Sequence, residues 1–316
     1  MATTTSITTT YAGEFAGQYI SAALLEGSTI ASGGITVKPN IKLKEVIKKV
    51  STDGIVKDAT CDFSATSTLT LTEKILQPEE QQVNLQLCKK DFVSDWEAVQ
   101  MGFSAYHNLP PSFSDFLIAH VAAKVAQKTE NSIWTGDTSN NGEFNGLTTQ
   151  IALDAGLPTA QEVAGTTVTS SNVIAQLGSI VDAIPAALYG SEDLFLYVSQ
   201  NIARAYVRAL GGFASGVGAA GTDSKGTQWF NNGALSFDGV KIFVANGLAN
   251  NTAVAAEKSN LFFGTGLLSD HNEVKVIDMA DIDGSQNVRV VMRFTAGVQY
   301  GIIDDIVTYG ITNSAN

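Results

Sequence analysis

The chain is short of the residues on which most activities depend. Of its 316 residues only four are arginine (Arg204, Arg208, Arg289 and Arg293), three are histidine and two are cysteine. Binding duplex nucleic acid takes many cations, because each must replace a counterion at a phosphate. Here 19 Lys and Arg face 31 Asp and Glu, for a net charge of −12, which argues against a protein that reads nucleic-acid sequence. Two cysteines, Cys61 and Cys88, are too few for a disulfide framework and fit free thiols in a reducing compartment. No run of about 18 apolar residues occurs, so no membrane-spanning helix is expected. The start, MATTTSITTT, has neither a basic nor an apolar stretch of the kind a signal peptide needs.

Charge itself is scarce. Charged residues make up 16% of the chain, against a usual share of about 25%. Ala, Thr, Ser, Gly and Asn fill the difference, a composition that suits broad contact surfaces, since interface centres are depleted of charge. The hydrophobic fraction of 44% is enough for a real core, and the length allows one large domain or two ordinary ones.

Sequence motifs for catalysis are also missing. There is no G-x-S-x-G elbow and no G-x-x-x-x-G-K-[ST] phosphate loop. His107, His120 and His271 have no second His or Cys at metal-ligand spacing. Asp270 and Glu273 near His271 lack the EF-hand pattern. Gly216 to Gly221 does match G-x-G-x-x-G, and Asp238 follows 17 residues later. A dinucleotide site, however, needs a strand before the glycines and a helix after them. A helical pattern precedes these and TDSKGTQWF follows, so a surface loop over 211–226 is the better reading, and a cofactor-binding enzyme is the alternative. Asp304 and Asp305 are adjacent within an expected strand and would point to opposite faces, which is no acid–base pair. No catalytic, cofactor or metal site is assigned.

What is present is pattern. Residues 1–11 are Thr-rich and without periodicity, and 12–26 carry helical spacing that Gly33-Gly34 ends. From about 41 to 90 apolar residues alternate, with Asp53-Gly54 as a turn, so the spacing predicts long strands doubling back on one another. Cys61, Phe63, Ala65, Leu69 and Leu71 continue the alternation. Its middle, about 45–76, has too few large apolar residues for a core of its own, and isolated two-stranded ribbons are marginal in water. Six lysines crowd this region: Lys38, Lys42, Lys44, Lys48, Lys49 and Lys57. A solvated strand face is the plain reading; a basic arm laid on an acidic neighbour is the sharper one.

Residues 112–135 form the clearest element, with Leu117, Val121 and Val125 at i+4 and Ser112 to Asp115 resembling a capping box. This predicts a helix roughly 35 Å long, stopped at Gly136. A second helix is expected over 171–188, disturbed at Pro185, then a strand at 194–198 and a helix at 200–210. Strands follow at 236–245, 260–268, 273–279, 287–299 and 302–312. The mixture predicts an α+β fold with mainly antiparallel pairing.

This order of elements, with LTLTEKILQPEEQQVNLQLCKKDFVSDW (69–96), AAKVAQKTENSIWTGD (122–137), FNGL (144–147), NLFFGTGLLSDHNEVKVIDM (260–279) and VRVVMRFTAGVQYGIIDDIVTYG (288–310), resembles the Hong Kong-type (HK97-like) capsid fold of tailed phages. The resemblance implies an N-arm (1–40), an extended E-loop hairpin (41–80), a P-domain (81–147 and 251–300) with the long helix as its spine, and an A-domain (148–250 and 301–316). It implies a major capsid protein, a structural shell subunit that self-assembles as hexamers and pentamers around double-stranded DNA in the virion. A protein nanocompartment of the encapsulin kind shares the fold and is the nearest alternative. Separate scaffolding, portal and decoration proteins would be partners; no cofactor and no membrane are implied. Lys48, Lys49, Asp53 and Lys57 would serve inter-subunit contacts. Gly33, Gly34, Gly54 and Gly136 would be hinges, letting one sequence fit both hexamer and pentamer environments.

Overall fold

In a computed structural model, residues 28–52, 54–59, 61–65, 68–88, 111–210, 235–266 and 275–315 are described. The expected helix at 12–26 and the Gly-rich loop at 211–226 lie outside them.

Two sheets share the body. After a single helical turn, α1 (Ser28–Ala31), comes β1 (Thr36–Lys38). A hairpin follows, β2 (Glu45–Thr52) against β3 (Leu69–Leu76), paired antiparallel from Glu45↔Leu76 to Thr52↔Leu69. The next strand, β4 (Glu79–Cys88), does not double back on the hairpin as the alternation predicts. Gln77-Pro78 redirects it, and it pairs instead with the 14-residue β12 (Asn287–Tyr300), some 200 positions away in sequence. Cys61, Phe63 and Ala65 lie outside any strand, because the paired ladder has already ended at Thr52↔Leu69.

The long helix, α2 (Pro111–Thr135), starts one residue before Ser112, so Ser112 sits inside its first turn rather than at the cap. It ends at Gly136 as expected. The last carbonyls of a helix lack intrahelical partners. Here α3 (Leu147–Ile151) supplies them: Thr148 Oγ1 donates to Trp134 O at 2.6 Å and Thr149 Oγ1 to Gly136 O at 2.8 Å. Leu117 and Val121 of α2 pack on Leu87 of β4 and Val290 of β12. Further along α2, Ile133 and Trp134 enter the main core with Tyr197, Phe263, Met292 and Tyr300. β12 buries alternate residues, Val288, Val290, Met292, Phe294 and Ala296, as a strand with one face on a core must.

The second sheet holds β5 (Glu162–Val163), β6 (Leu194–Val198), β7 (Ser236–Phe237), β8 (Val240–Val244), β9 (Ala253–Glu257) and β13 (Val307–Tyr309), in the order β5-β13-β9-β6-β8-β7. Helices α4 (Val173–Asp182) and α5 (Gln200–Leu210) pack on it through Leu177, Ile180, Ile202 and Tyr206. The expected helix over 171–188 thus stops at Asp182, short of Pro185. β9, whose sequence AVAAE carries little strand signal, lies fully in this sheet, between β13 and β6. The first sheet is completed by β10 (Leu261–Gly264) and β11 (Lys275–Asp278), in the order β1-β10-β12-β11 with β4 also on β12; a short turn of helix, α6 (Ala280–Asp283), leads into β12. Pairing is mainly antiparallel; β1–β10, β5–β13 and β6–β8 are parallel. Asp304 and Asp305 lie in a single 3-10 turn, Ile303–Asp305, not in a strand: the last strand, expected from 302, begins only at Val307.

Candidate functional site

The most informative surface is the β2–β3 ribbon. In an antiparallel pair, residues directly opposite one another share a face. One face of the ribbon therefore carries Glu45 and Leu76, Ile47 and Lys74, Lys49 and Thr72. The other carries Val46 and Ile75, Lys48 and Glu73, Val50 and Leu71, Thr52 and Leu69.

The first face looks at the body. Leu76 is fully buried, and a Cβ added to Gly264 would lie 2.9 Å from it. Lys49 forms an ion pair with Asp304, and Lys74 forms one with Asp154. Tyr300 completes the second pair: its hydroxyl donates to Asp154 Oδ2 at 2.6 Å, and the Lys74 ammonium lies 4.6 Å from its ring centre. Burial pushes the Asp154 carboxyl up, but hydrogen bonds from Lys74, Tyr300 and the Gly156 N–H outweigh it and leave the group below its ordinary pKa. Burial first, and then Asp154, hold the Tyr300 hydroxyl well above the usual tyrosine range. Asp305 next door is raised, by burial and then by Glu257. These are structural electrostatics; the arrangement holds two elements together and brings no nucleophile to a base.

The second face looks at solvent. Val46, Val50, Leu69, Leu71 and Ile75 are 42%, 58%, 63%, 65% and 45% exposed. Beyond the ladder, Ile55, Val56 and Phe63 are exposed too. These side chains flank the Lys48–Glu73 pair on one face, and apolar side chains gathered so on one exposed face mark an interaction surface rather than a scatter of surface residues. The body offers a concave apolar counterpart, a groove between β4 and α2 lined by Val83, Leu85, Val121, Val125, Phe144 and Phe294.

Among the residues expected at inter-subunit contacts, Lys48 is on the exposed face opposite Glu73. Lys49 is on the inner face and is engaged within its own chain by Asp304. Lys57 is exposed and donates to Ser64 O at 2.8 Å. Asp53 lies outside the described residues. The cluster is thus not one patch: the ribbon's pleat sends adjacent lysines to opposite sides. Lys74, Asp154, Asp304 and Tyr300 went unpredicted; the period-2 pattern could have placed Lys74 with Lys49, but not their distant acids.

The four expected hinge glycines divide. Gly33 and Gly54 have φ of +66° and +49°, the left-handed region that favours glycine. Gly34 and Gly136 are instead sites of close approach. A Cβ on Gly34 would sit 2.7 Å from the Phe243 ring, and one on Gly136 2.2 Å from Phe144 O. The need for glycine at these two positions is steric.

Among the described residues no three His, Cys, Asp or Glu side chains gather as a metal site, and no helix is long and apolar enough to cross a membrane. Residues 216–221, the glycine motif, lie outside them.

No protein-family model matches the chain, and no curated protein matches it by sequence. Solved structures do. The capsid of the cyanophage P-SCSP1u aligns at 14% identity with a TM-score of 0.58, over 95% of this chain and 92% of that one. The capsid of the Myoviridae phage XM1 aligns at 13% identity with a TM-score of 0.58, over 92% and 94%. The capsid of an empty GTA particle aligns at 14% identity with a TM-score of 0.57, over 93% and 92%. At these identities the likeness is one of fold, and the fold is the HK97-like capsid fold over nearly the whole chain.

Proposed function

We propose that this chain is the major capsid protein of a tailed phage, a structural subunit and not an enzyme, assembling as hexamers and pentamers into a closed shell around double-stranded DNA. The observation that carries the reading is the ribbon: one face fastened to its own body, the other left in solvent with apolar side chains on either side of the Lys48–Glu73 pair. Burying a large apolar side chain stabilises by about 1.5–3 kcal/mol, so such a face favours association. This face and the apolar groove occupy different parts of one chain. A contact between two different patches is head-to-tail, and head-to-tail contacts with the right rotation close into rings. The spread of the fold likeness over more than nine-tenths of the chain supports the same reading.

In this reading the fold divides as an N-arm, the ribbon as E-loop, a P-domain built on the first sheet and α2, and an A-domain built on the second sheet. Lys48 and Lys57 lie on the exposed part of the ribbon, where a neighbour would meet them. The acidic balance suits enclosure of DNA without sequence-specific contact. Scaffolding, portal and decoration proteins would be separate chains.

The test is electron microscopy of the expressed protein, alone and with proteins encoded beside it. Closed icosahedral particles are expected. A second protein, with residues 51–70 replaced by a two-residue Asn-Gly turn, keeps the Val50↔Leu71 pair and removes the ribbon's outer part. It should fold and form no shells; closed particles from this variant would overturn the inter-subunit role of the ribbon's outer part. Particles that enclose protein cargo and no DNA would point to a nanocompartment instead.

A further inference from the structure

We propose that Asn141 is a site of spontaneous covalent modification, losing its side-chain amide to become aspartate or isoaspartate while the chain stays folded. The proposal concerns the single chain and stands apart from the shell reading.

An asparagine followed by glycine is open to attack by its own backbone. The Gly142 nitrogen, its proton taken by solvent base, adds to Asn141 Cγ. The new C–N bond closes a cyclic imide and the bond to the side-chain nitrogen breaks, so ammonia leaves with a proton returned by water. Water then opens the imide. Cleavage at one carbonyl gives aspartate; cleavage at the other gives isoaspartate, with the main chain rerouted through the side chain. Nothing is oxidised or reduced, and water is the only co-reactant. Glycine matters because it has no Cβ to block the approach. The step needs a nitrogen free of other bonds and a backbone able to bend.

The sequence holds four Asn-Gly pairs, beginning at 141, 145, 232 and 246. The pair at 232 lies outside the described residues, and the fold tells the other three apart. Asn145 is tied down: its Oδ1 accepts from Thr138 N and Thr138 Oγ1, both at 3.2 Å. Gly146 is buried, and its N–H already donates to Gly136 O at 2.9 Å. At the third pair, Asn246 Oδ1 accepts from Gln200 Nε2 at 2.8 Å, and Gly247 is so closely packed that a Cβ would lie 2.1 Å from Glu130 O. Asn141 and Gly142 differ on every count. Both are exposed and sit in a turn, with Gly142 at φ +72°. Among the described residues no hydrogen bond holds the Asn141 side chain or the Gly142 N–H. A Cβ on Gly142 would meet only Gln81 Oε1, at 3.7 Å. Asn140, one residue earlier, is followed by a side chain rather than by glycine, and its Nδ2 donates to Glu143 Oε2 at 3.2 Å.

The surrounding loop confines the change to its tip. Asp137 N donates to Glu143 Oε2 at 3.1 Å, and Glu143 also pairs with Lys128 of α2, so both sides of the tip are anchored. Each modified copy gains one negative charge, taking the chain from −12 to −13. That charge appears at the rim of the groove between β4 and α2, whose lining includes Gly142, Lys124 and Lys128. In an assembly of many copies the rim would grow more acidic with age, with no enzyme involved.

The full-length chain is incubated, folded, at mildly alkaline pH and then cut with a Glu-specific protease at acid pH. Cuts after Glu130, Glu143 and Glu162 place Asn141 in the peptide 131–143 and Asn145 in 144–162. Mass spectrometry reads the amide-to-acid exchange in each, and electron-transfer fragmentation assigns the residue and separates isoaspartate from aspartate. Asn141 should convert first. Asn145 and Asn246 should be slower by about tenfold or more, because their bonded segments must first open. In strong denaturant the three rates should draw together, and Asn141→Gln should leave 131–143 unchanged in the folded chain. Equal rates at Asn141 and Asn145 in the folded chain, or acid at Asn140 in place of Asn141, would overturn the assignment. Asn141→Asp should unfold at the same denaturant midpoint as the unmodified chain; a clearly lower midpoint would show that the tip is part of the packed structure and cannot change while the chain stays folded.

Discussion

Substituting Val50 and Leu71 together with threonine separates association from folding most sharply. The two side chains are cross-strand partners on the outward face of the ribbon, and threonine has the β-branched shape that a strand accepts. They are 58% and 65% exposed in the single chain, so most of their apolar area is still available for burial. Full burial of such a side chain is worth about 1.5–3 kcal/mol, and roughly three-fifths of that remains, about 1–2 kcal/mol each. Two such losses at one contact amount to roughly 2–4 kcal/mol, or about a 30- to 1,000-fold weaker contact at 1.4 kcal/mol per tenfold. A shell repeats the contact in every subunit, so the threshold concentration for assembly should rise by at least the lower figure. The subunit itself should barely notice, because the face touches little of its own body. Sedimentation against protein concentration reads the threshold, and denaturant melting reads the subunit. Equal losses in both would show that the outward face is part of the core and would refute the two-faced ribbon.

Three further outcomes follow from the interior. Gly136→Ala places a Cβ 2.2 Å from Phe144 O and 2.6 Å from Ser132 O; overpacking of this kind should cost about 1–3 kcal/mol, seen as an earlier denaturant midpoint. Thr29→Val removes the hydroxyl that bridges Trp134 Nε1, at 2.8 Å, and the buried Glu130 carboxylate; loss of these bonds should cost about 1–3 kcal/mol in the same assay, or more because one partner is charged. Asp154 has a lowered pKa when folded, so its stabilisation is present above the unfolded value near 3.8 and is lost as pH falls through the lower folded value. Asp154→Asn should therefore reduce stability at pH 7 and flatten the acid limb of a stability–pH curve; an unchanged limb would mean the pair with Lys74 adds nothing.

The elements with strong local periodicity were readable in the residues themselves. Leu117, Val121 and Val125 announce α2, and the alternation on either side of Asp53-Gly54 announces the ribbon. What could not be read was partnership across the chain. Nothing in QQVNLQL says that β4 leaves its hairpin neighbour for β12, since pairing depends on which distant strand is free to accept it. β9 escaped because Ala255 and Ala256 are small residues with no strand preference, placed there by burial alone. At the ribbon the lysines were visible but not their sides. Lys48 and Lys49 differ by one residue and therefore by a full reversal of direction, and the acids that claim Lys49 and Lys74 come from 255 and 80 positions away. Asp304 and Asp305 looked like strand residues because the apolar run from 302 hides a 3-10 turn that precedes β13.

The distance in sequence between the ribbon and the residues that anchor its inner face has a consequence for synthesis. β12, Tyr300 and Asp304 leave the ribosome well after the ribbon and β4, yet β4 and the ribbon's inner face find their partners there. Pairings at such large sequence separation form slowly and only after the far partner exists. A nascent chain therefore carries its sticky hairpin without a fixed base until β12 and Asp304 have been made, and only then can it aim the hairpin at a neighbour.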